Sequence, residues 1–270
     1  MRAVAKRALR PAAAVLVALW ALAGIAAESN WVMEPVRPNL EDMPSLQRGA
    51  ALYANYCLGC HSLKFQRYER TADDLEIPHS VALKNLVFTG QQIGSLMVSA
   101  MPDEKAKGWF GTPPPDLTMV ARVRGPEWIY NLLTTFYADE SRPFGVNNKV
   151  YPNIGMPHVL MGLQGVPTEQ CRGNRPVDLL DGEELLVETE DGYEPAREPN
   201  CDLPPVADGS GAYSPEEFRQ AAYDITNFLY YVGEPTRLER ERLGYWVLAF
   251  LAGLFVVAWL LNREYWKDVH

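Results

Sequence analysis

The chain has 270 residues, with 25 Lys+Arg against 34 Asp+Glu, a net charge of −9. Aliphatic, aromatic and Cys residues make up 47% and charged residues 22%, which excludes a wholly disordered chain; four cysteines are too few for a disulfide-dense miniprotein. The acidic balance argues against a nucleic-acid binder, which needs a basic footprint on phosphate.

Residues 1–10 carry Arg2, Lys6, Arg7 and Arg10 and no acid, and an apolar run over 11–27 ends in Gly24-Ile25-Ala26-Ala27. A basic start, a short apolar run and a small-residue exit predict a secretory signal peptide over 1–26, an uncleaved N-terminal anchor being the alternative. Without it, 21 Lys+Arg face 34 acids, a net charge of −13. Export places the following domain in an oxidising compartment.

Leu46, Ala50, Tyr53 and Ala54 recur at helical spacing, with Gly49 offering a point of close helix contact. Cys57-Leu58-Gly59-Cys60-His61 follows directly. Two thiols separated by two residues can add across the two vinyl groups of one haem, and a His directly after the second Cys then lies under the iron. A thioredoxin-like CxxC gives that His no role and needs a βαβ context. A zinc site wants a second short pair, and Cys171 and Cys201 are too far apart to form one.

A sixth iron ligand has few candidates. The remaining histidines are His79, His158 and His270. Met97 and Met101 share helical spacing with Ile93 and Ala100, which favours core packing, and Met119 lies in a similar apolar segment. Met156 stands in Pro152-Asn153-Ile154-Gly155-Met156-Pro157, a loop stiffened by prolines that suits a weak thioether ligand; His158 and Met161 are its runners-up. Thioether favours Fe(II), so His/Met ligation raises the reduction potential. With both axial positions filled by protein, such a site carries electrons and catalyses nothing by itself.

Gly125-Pro126 predicts a helix with Trp128, Ile129, Leu132, Leu133, Phe136 and Tyr137 on its apolar face. Ser214-Pro215-Glu216-Glu217 is a capping-box pattern that opens another, with a stripe of Phe218, Ala221, Ala222, Ile225, Phe228, Leu229 and Val232, stopping at Gly233 and Pro235. An N-terminal helix crossing a C-terminal helix beside the haem is the c-type cytochrome plan. Residues 243–261 hold no charge and span about 28 Å as a helix, close to the ~30 Å hydrocarbon core of a bilayer. Tyr245, Trp246, Trp259, Tyr265 and Trp266 sit near the ends, at headgroup depth. Arg237, Arg240 and Arg242 precede the span against Arg263 and Lys267 after it, which slightly opposes the positive-inside rule. The signal peptide decides the orientation instead. The expected layout is a signal peptide over 1–26, a periplasmic haem domain over 27–236, a juxtamembrane segment and single anchor in the inner membrane over 237–261, and a cytoplasmic tail over 262–270.

These strings together resemble the cytochrome c1 family, the haem subunit of the cytochrome bc1 (ubiquinol:cytochrome c oxidoreductase) complex, from about residue 45 to the C-terminus. Beyond the CxxCH motif, the likeness rests on Met101-Pro102-Asp103, Pro114-Pro115-Asp116-Leu117, Arg122-Val123-Arg124, Asn131-Leu132-Leu133-Thr134, Tyr151-Pro152, Gly155-Met156-Pro157 and Gly233-Glu234-Pro235. Arg263-Glu264-Tyr265-Trp266-Lys267 resembles proteobacterial members. The resemblance implies a mainly α, class I c-type cytochrome-like domain with long inserted loops and one C-terminal transmembrane helix. It implies one haem c attached through Cys57 and Cys60, axial ligands His61 and Met156, Pro115 near the proximal imidazole, and Arg124, or its neighbour Arg122, on a haem propionate. It implies a respiratory electron carrier that is no enzyme on its own, working in a dimeric complex in the lipid bilayer with cytochrome b, a Rieske iron–sulfur protein as donor and a soluble c-type cytochrome as acceptor. A free-standing anchored c-type cytochrome or oxidase subunit is the alternative. More distant rivals are a thiol–disulfide oxidoreductase and a haem sensor or peroxidase with an open iron position.

The chain departs from the mitochondrial pattern over 178–202, which holds ten acids and one base, Arg197. Leu185-Leu186-Val187 followed by Asp191-Gly192 suggests a hairpin-like excursion. Cys171 and Cys201 flank it and fit a disulfide, worth roughly 3–4 kcal/mol by loop entropy; two unpaired thiols are the alternative. Steering of a basic cytochrome and a solvated insert facing away from the haem are both open roles for its charge.

Overall fold

The computed structural model describes residues 31–176, 186–189 and 192–267, so the expected signal peptide and much of the acidic insert lie outside the described residues. The chain divides into two units, Met1–Val32 and Met33–His270, and every helix and strand described belongs to the second. Helix α1 (Met43–Tyr56) leads into the CxxCH motif; β1 (Leu63–Arg67), α2 (Tyr68–Asp74), α3 (His79–Asn85), β2 (Leu96–Met97) and α4 (Asp103–Phe110) follow. Next come α5 (Val120–Val123), α6 (Pro126–Thr134), β3 (Phe136–Ala138), β4 (Val146–Asn148) and α7 (Met161–Gln164). Strands β5 (Pro167–Gln170), β6 (Asn174–Pro176), β7 (Leu186–Thr189), β8 (Gly192–Pro195), β9 (Arg197–Pro199) and β10 (Leu203–Ala207) precede α8 (Pro215–Gly233) and α9 (Arg237–Tyr265). Helices carry the main core, and the strands pair as two-stranded antiparallel ribbons.

The frame is the crossing of α1 over α8. The α1 stripe of Leu46, Ala50, Tyr53 and Ala54 is buried, as its spacing predicts. At Gly49 a Cβ would lie 2.0 Å from the Asp224 carbonyl oxygen and 2.8 Å from Phe228 Cβ, so only glycine lets the helices approach this closely. Tyr53 and Phe228 meet beside it, ring centroids 5.7 Å apart. A polar lock sits at the same crossing. The buried Asp224 carboxylate accepts from Ser45 Oγ at 2.7 Å, Arg48 Nε at 2.6 Å and Gln220 Nε2 at 2.9 Å, which satisfies it away from water. Helix α8 opens with the predicted capping box: Ser214 Oγ accepts from the Glu217 amide at 3.3 Å and Glu217 Oε2 from the Ser214 amide at 2.8 Å.

Two local expectations fail. Helix α6 ends at Thr134, and Phe136 and Tyr137 instead form β3, paired with Asn148 and Asn147 of β4. Thr134 Oγ1 bonds back to the Tyr130 carbonyl at 2.9 Å and Thr135 Oγ1 to that of Asn131 at 2.7 Å, which competes with continued helix. Met97 packs in the core as expected, but from β2, opposite Leu63, rather than from a helical stripe, and Met101 lies half-buried in a bend.

Beyond β5 and β10, the chain runs out as an antiparallel arm. Thr168 faces Val206, Cys171 and Cys201 form a disulfide, Asn174 faces Pro199, and Leu186 faces Pro195. The pairing of β7 with β8 is the hairpin that the sequence suggests.

Helix α9 is 29 residues long, with a mean hydropathy of 2.2 over its most apolar window, and none of that window is buried against the protein. A helix this long and apolar is sufficient to cross a bilayer. The helix starts six residues before the uncharged stretch, helped by the Arg237–Glu241 pair at 2.8 Å, one turn apart.

Candidate functional site

At the end of α1 the chain turns tightly: the Cys60 and His61 amides both donate to the Cys57 carbonyl, at 3.0 and 2.8 Å. This turn brings Cys57, Cys60 and His61 to one wall of a cavity of about 570 Å³, within the range of small-molecule sites. Buried Tyr53 donates its hydroxyl to the His61 carbonyl at 2.7 Å and ties the turn to the helix crossing. Leu117, Val120, Ile129, Leu133, Ile225 and Leu229 make much of the rest of the lining apolar.

The imidazole is oriented by the proline-rich loop that lines the same cavity. His61 Nδ1 lies 2.8 Å from the Pro115 carbonyl oxygen. A carbonyl only accepts, so Nδ1 carries the hydrogen and Nε2 keeps its lone pair. Burial lowers the His61 pKa, which favours the neutral ring a metal requires. The proline-rich loop is strapped to the strand after His61, the Lys64 amide donating to Asp116 Oδ2 at 2.7 Å and the Leu117 amide to the Ser62 carbonyl at 2.9 Å.

Met156 reaches the same cavity on a separate loop, together with Tyr151, Ile154 and Gly155. Behind it is a second, small core of Phe136, Val146 and Ile154, on which Met156 and Met161 pack. Prolines flank the loop, but its amides at Val150, Tyr151 and Asn153 are held by the side chains of Asn148 and Asn147, which sequence reading passes over. Among the other candidate ligands, Met119 also lines the cavity, half-exposed, four residues past Pro115 and thus on the strap rather than on an independent loop. His158 and Met161 are not among the lining residues. His158 stacks on Phe136, centroids 4.7 Å apart, and bonds Gln164 Oε1 at 2.7 Å; burial pushes its pKa down to about 4, so it is neutral at pH 7. His79 sits on the surface 2.7 Å from Asp73, and His270 lies outside the described residues.

The two arginines of the Arg122-Val123-Arg124 string diverge. Arg122 pairs with Glu234, which also pairs with Arg240 at the start of α9. Arg124 lines the cavity with its guanidinium 5.4 Å from the Trp128 ring centroid, and makes no ion pair with a carboxylate among the described residues.

These groups fit a covalently held haem. Two free thiols and an oriented neutral imidazole share one turn, a thioether faces the same apolar space, and a guanidinium at the cavity suits a carboxylate. Thiol–disulfide exchange fits less well, because burial pushes the Cys57 thiol up to about 12 and raises that of Cys60, away from the reactive thiolate.

The Cytochrome C1 family model matches residues 39–196 and 201–269. The chain is 46% identical to cytochrome c1 of Allochromatium vinosum over 238 residues, covering 88% of this chain and 90% of that one. It is 38% identical to a protein of Nitrosomonas europaea named ammonia monooxygenase gamma subunit, covering 85% of each. It is 24% identical to the cytochrome b/c1 protein of Bradyrhizobium diazoefficiens, covering 85% of this chain and 34% of that longer one. The helix crossing, the inserted arm and the exposed terminal helix make a mainly α, class I c-type cytochrome-like domain with one C-terminal membrane anchor. The chain belongs to the cytochrome c1 family, whose members carry one covalently bound haem c and act as the haem electron-transfer subunit of the bc1 complex rather than as enzymes on their own.

Proposed function

We propose that this chain takes electrons from a Rieske iron–sulfur protein and passes them to a soluble c-type cytochrome, on the periplasmic side of the inner membrane and within a dimeric complex built around cytochrome b. In this reading Cys57 and Cys60 hold the haem by thioether bonds, His61 and Met156 are its axial ligands, Pro115 fixes the imidazole tautomer and Arg124 meets a propionate. The bound haem would supply one-electron chemistry at a potential raised by the thioether. The observation that carries the reading is that the CxxCH turn and the Met156 loop open on one apolar cavity, while Nδ1 of His61 is already engaged by the Pro115 carbonyl.

Each residue has a separate task. The Pro115 carbonyl keeps the Nε2 lone pair available. Apolar side chains exclude water, which would otherwise compete for the weakly held sixth position. A guanidinium pairs a carboxylate in a bidentate fork, so Arg124 can partly offset a propionate charge in a poorly solvated site. The name of the Bradyrhizobium relative, cytochrome b/c1, supports cytochrome b as the membrane partner.

Solubilising native membranes in mild detergent and purifying the chain with its haem tests the proposal. Cytochrome b and an iron–sulfur protein should copurify, and quinol should reduce the haem only when the iron–sulfur protein is present. A haem polypeptide that purifies alone, or that quinol reduces without the iron–sulfur protein, would contradict it.

A further inference from the structure

The Met156 loop is shaped by two adjacent buried asparagines of β4, Asn147 and Asn148, at 8% and 1% exposure. Asn148 Oδ1 accepts from the Val150 amide at 2.9 Å and the Tyr151 amide at 3.0 Å. Its Nδ2 donates to the Leu132 carbonyl of α6 at 2.8 Å, and Leu132 lines the cavity. Asn147 Oδ1 accepts from the Asn153 amide at 2.7 Å and the Asn148 amide at 2.9 Å, while its Nδ2 donates to Asp139 Oδ2 at 2.9 Å. Asn153 adopts a left-handed backbone, φ 63°, which asparagine tolerates, and Arg142 donates to its carbonyl at 2.8 Å. Loop amides that would otherwise lack partners are thus gathered onto two side chains immediately before Met156.

We infer that Asn147 and Asn148 are positioning residues that hold the Met156 thioether on the haem iron. This rests on the reading of Met156 as the sixth ligand. Iron–thioether bonds are weak, so ligation depends on a loop that is already in the bound conformation before the bond forms. The amide function is required at both positions. Each side chain accepts from backbone N–H groups with its oxygen and donates with its nitrogen to a fixed acceptor. A carboxylate at 147 would keep the accepting oxygen but set a second negative group against Asp139. Hydrogen bonds from Ser141 and then from Asn147 hold the Asp139 carboxyl below its usual pKa, so it is ionised at neutral pH.

The donor and acceptor of the Asn147–Asp139 bond can be exchanged without changing volume, and this gives the test. The holoprotein in detergent is compared as wild type, Asn147→Asp, Asn148→Ala, Met156→Leu and the double variant Asn147→Asp with Asp139→Asn. The readouts are the charge-transfer band of thioether on ferric iron, carbon monoxide binding to the reduced protein, and far-ultraviolet circular dichroism of the helices. Asn147→Asp and Asn148→Ala should raise the carbon monoxide-reactive fraction about tenfold or more, a loss comparable to one buried hydrogen bond. They should lose the band well below the temperature at which the helices melt. The double variant should restore both properties lost in Asn147→Asp. If the single variants keep the wild-type band and exclude carbon monoxide while Met156→Leu does neither, the positioning role is wrong and the ligand assignment stands. If Met156→Leu itself leaves band and carbon monoxide exclusion unchanged, the ligand assignment has failed, and the inference with it. Should Asn147→Asp lose its helices at the same temperature as its band, failure of the double variant to restore the band overturns the inference.

Discussion

The two walls of the cavity are built on different physics. The wall that carries Cys57, Cys60 and His61 stands on a crossing of long helices backed by the main core, with Gly49 in backbone contact and Asp224 satisfied beneath it. The wall that carries Met156 stands on three buried apolar residues and a web of asparagine amides. A fault in the first wall is therefore a fault in the whole fold. A fault in the second should be felt at the iron and hardly anywhere else. This asymmetry suits the bonds proposed for each wall: covalent attachment needs only a stable platform, whereas a weak thioether bond needs a held loop.

Gly49→Ala should break the contrast most severely, from the first wall. The new Cβ falls on backbone 2.0 Å away, with no flexible side chain to yield, so the loss should be about 3 kcal/mol or more. Membranes expressing it should contain little haem-bearing chain. Asp224→Ala comes next, at about 2–3 kcal/mol, because it leaves the buried Ser45 hydroxyl proton and the half-exposed Arg48 without their acceptor. Thermal denaturation followed by circular dichroism should show helices and haem environment lost together. On the second wall, Gln164→Ala removes the partner of His158 and should cost about 1 kcal/mol, with loss of the thioether band preceding melting of the helices. Global destabilisation as large as that of Asp224→Ala would erase the distinction between the walls. Arg124→Gln should do least to the fold, lowering the midpoint potential by less than about 59 mV, under a tenfold shift in the redox equilibrium. A null result in potentiometric titration would remove Arg124 from the propionate.

The contrast also explains what sequence could and could not reveal. The α1 stripe, the Ser214–Glu217 capping box, the CxxCH turn and the charge-free run of α9 are each encoded by residues close together in the chain. Gly49 was legible for a related reason: a lone glycine amid a helical stripe marks close approach. Phe136 continued the spacing of Leu132 and read as helix, because the back-bonding of Thr134 and Thr135 is a small local preference that periodicity does not register. Asn147 and Asn148 carry no signal in their own stretch of chain. Their partners Asp139, Leu132 and Asn153 come together only when β3 pairs with β4. Arg122 and Arg124 were indistinguishable for the same reason, since what separates them is Glu234, more than a hundred residues away.

In the proposed arrangement one haem is held between these two walls, with Met156 closing the second. The decisive measurement is potentiometric titration of the membrane-embedded holoprotein carrying Met156→Leu, beside wild type. The haem should remain covalently attached while the midpoint potential falls by well over ~59 mV, more than a tenfold change in the equilibrium. An unchanged potential with the haem in place would contradict it.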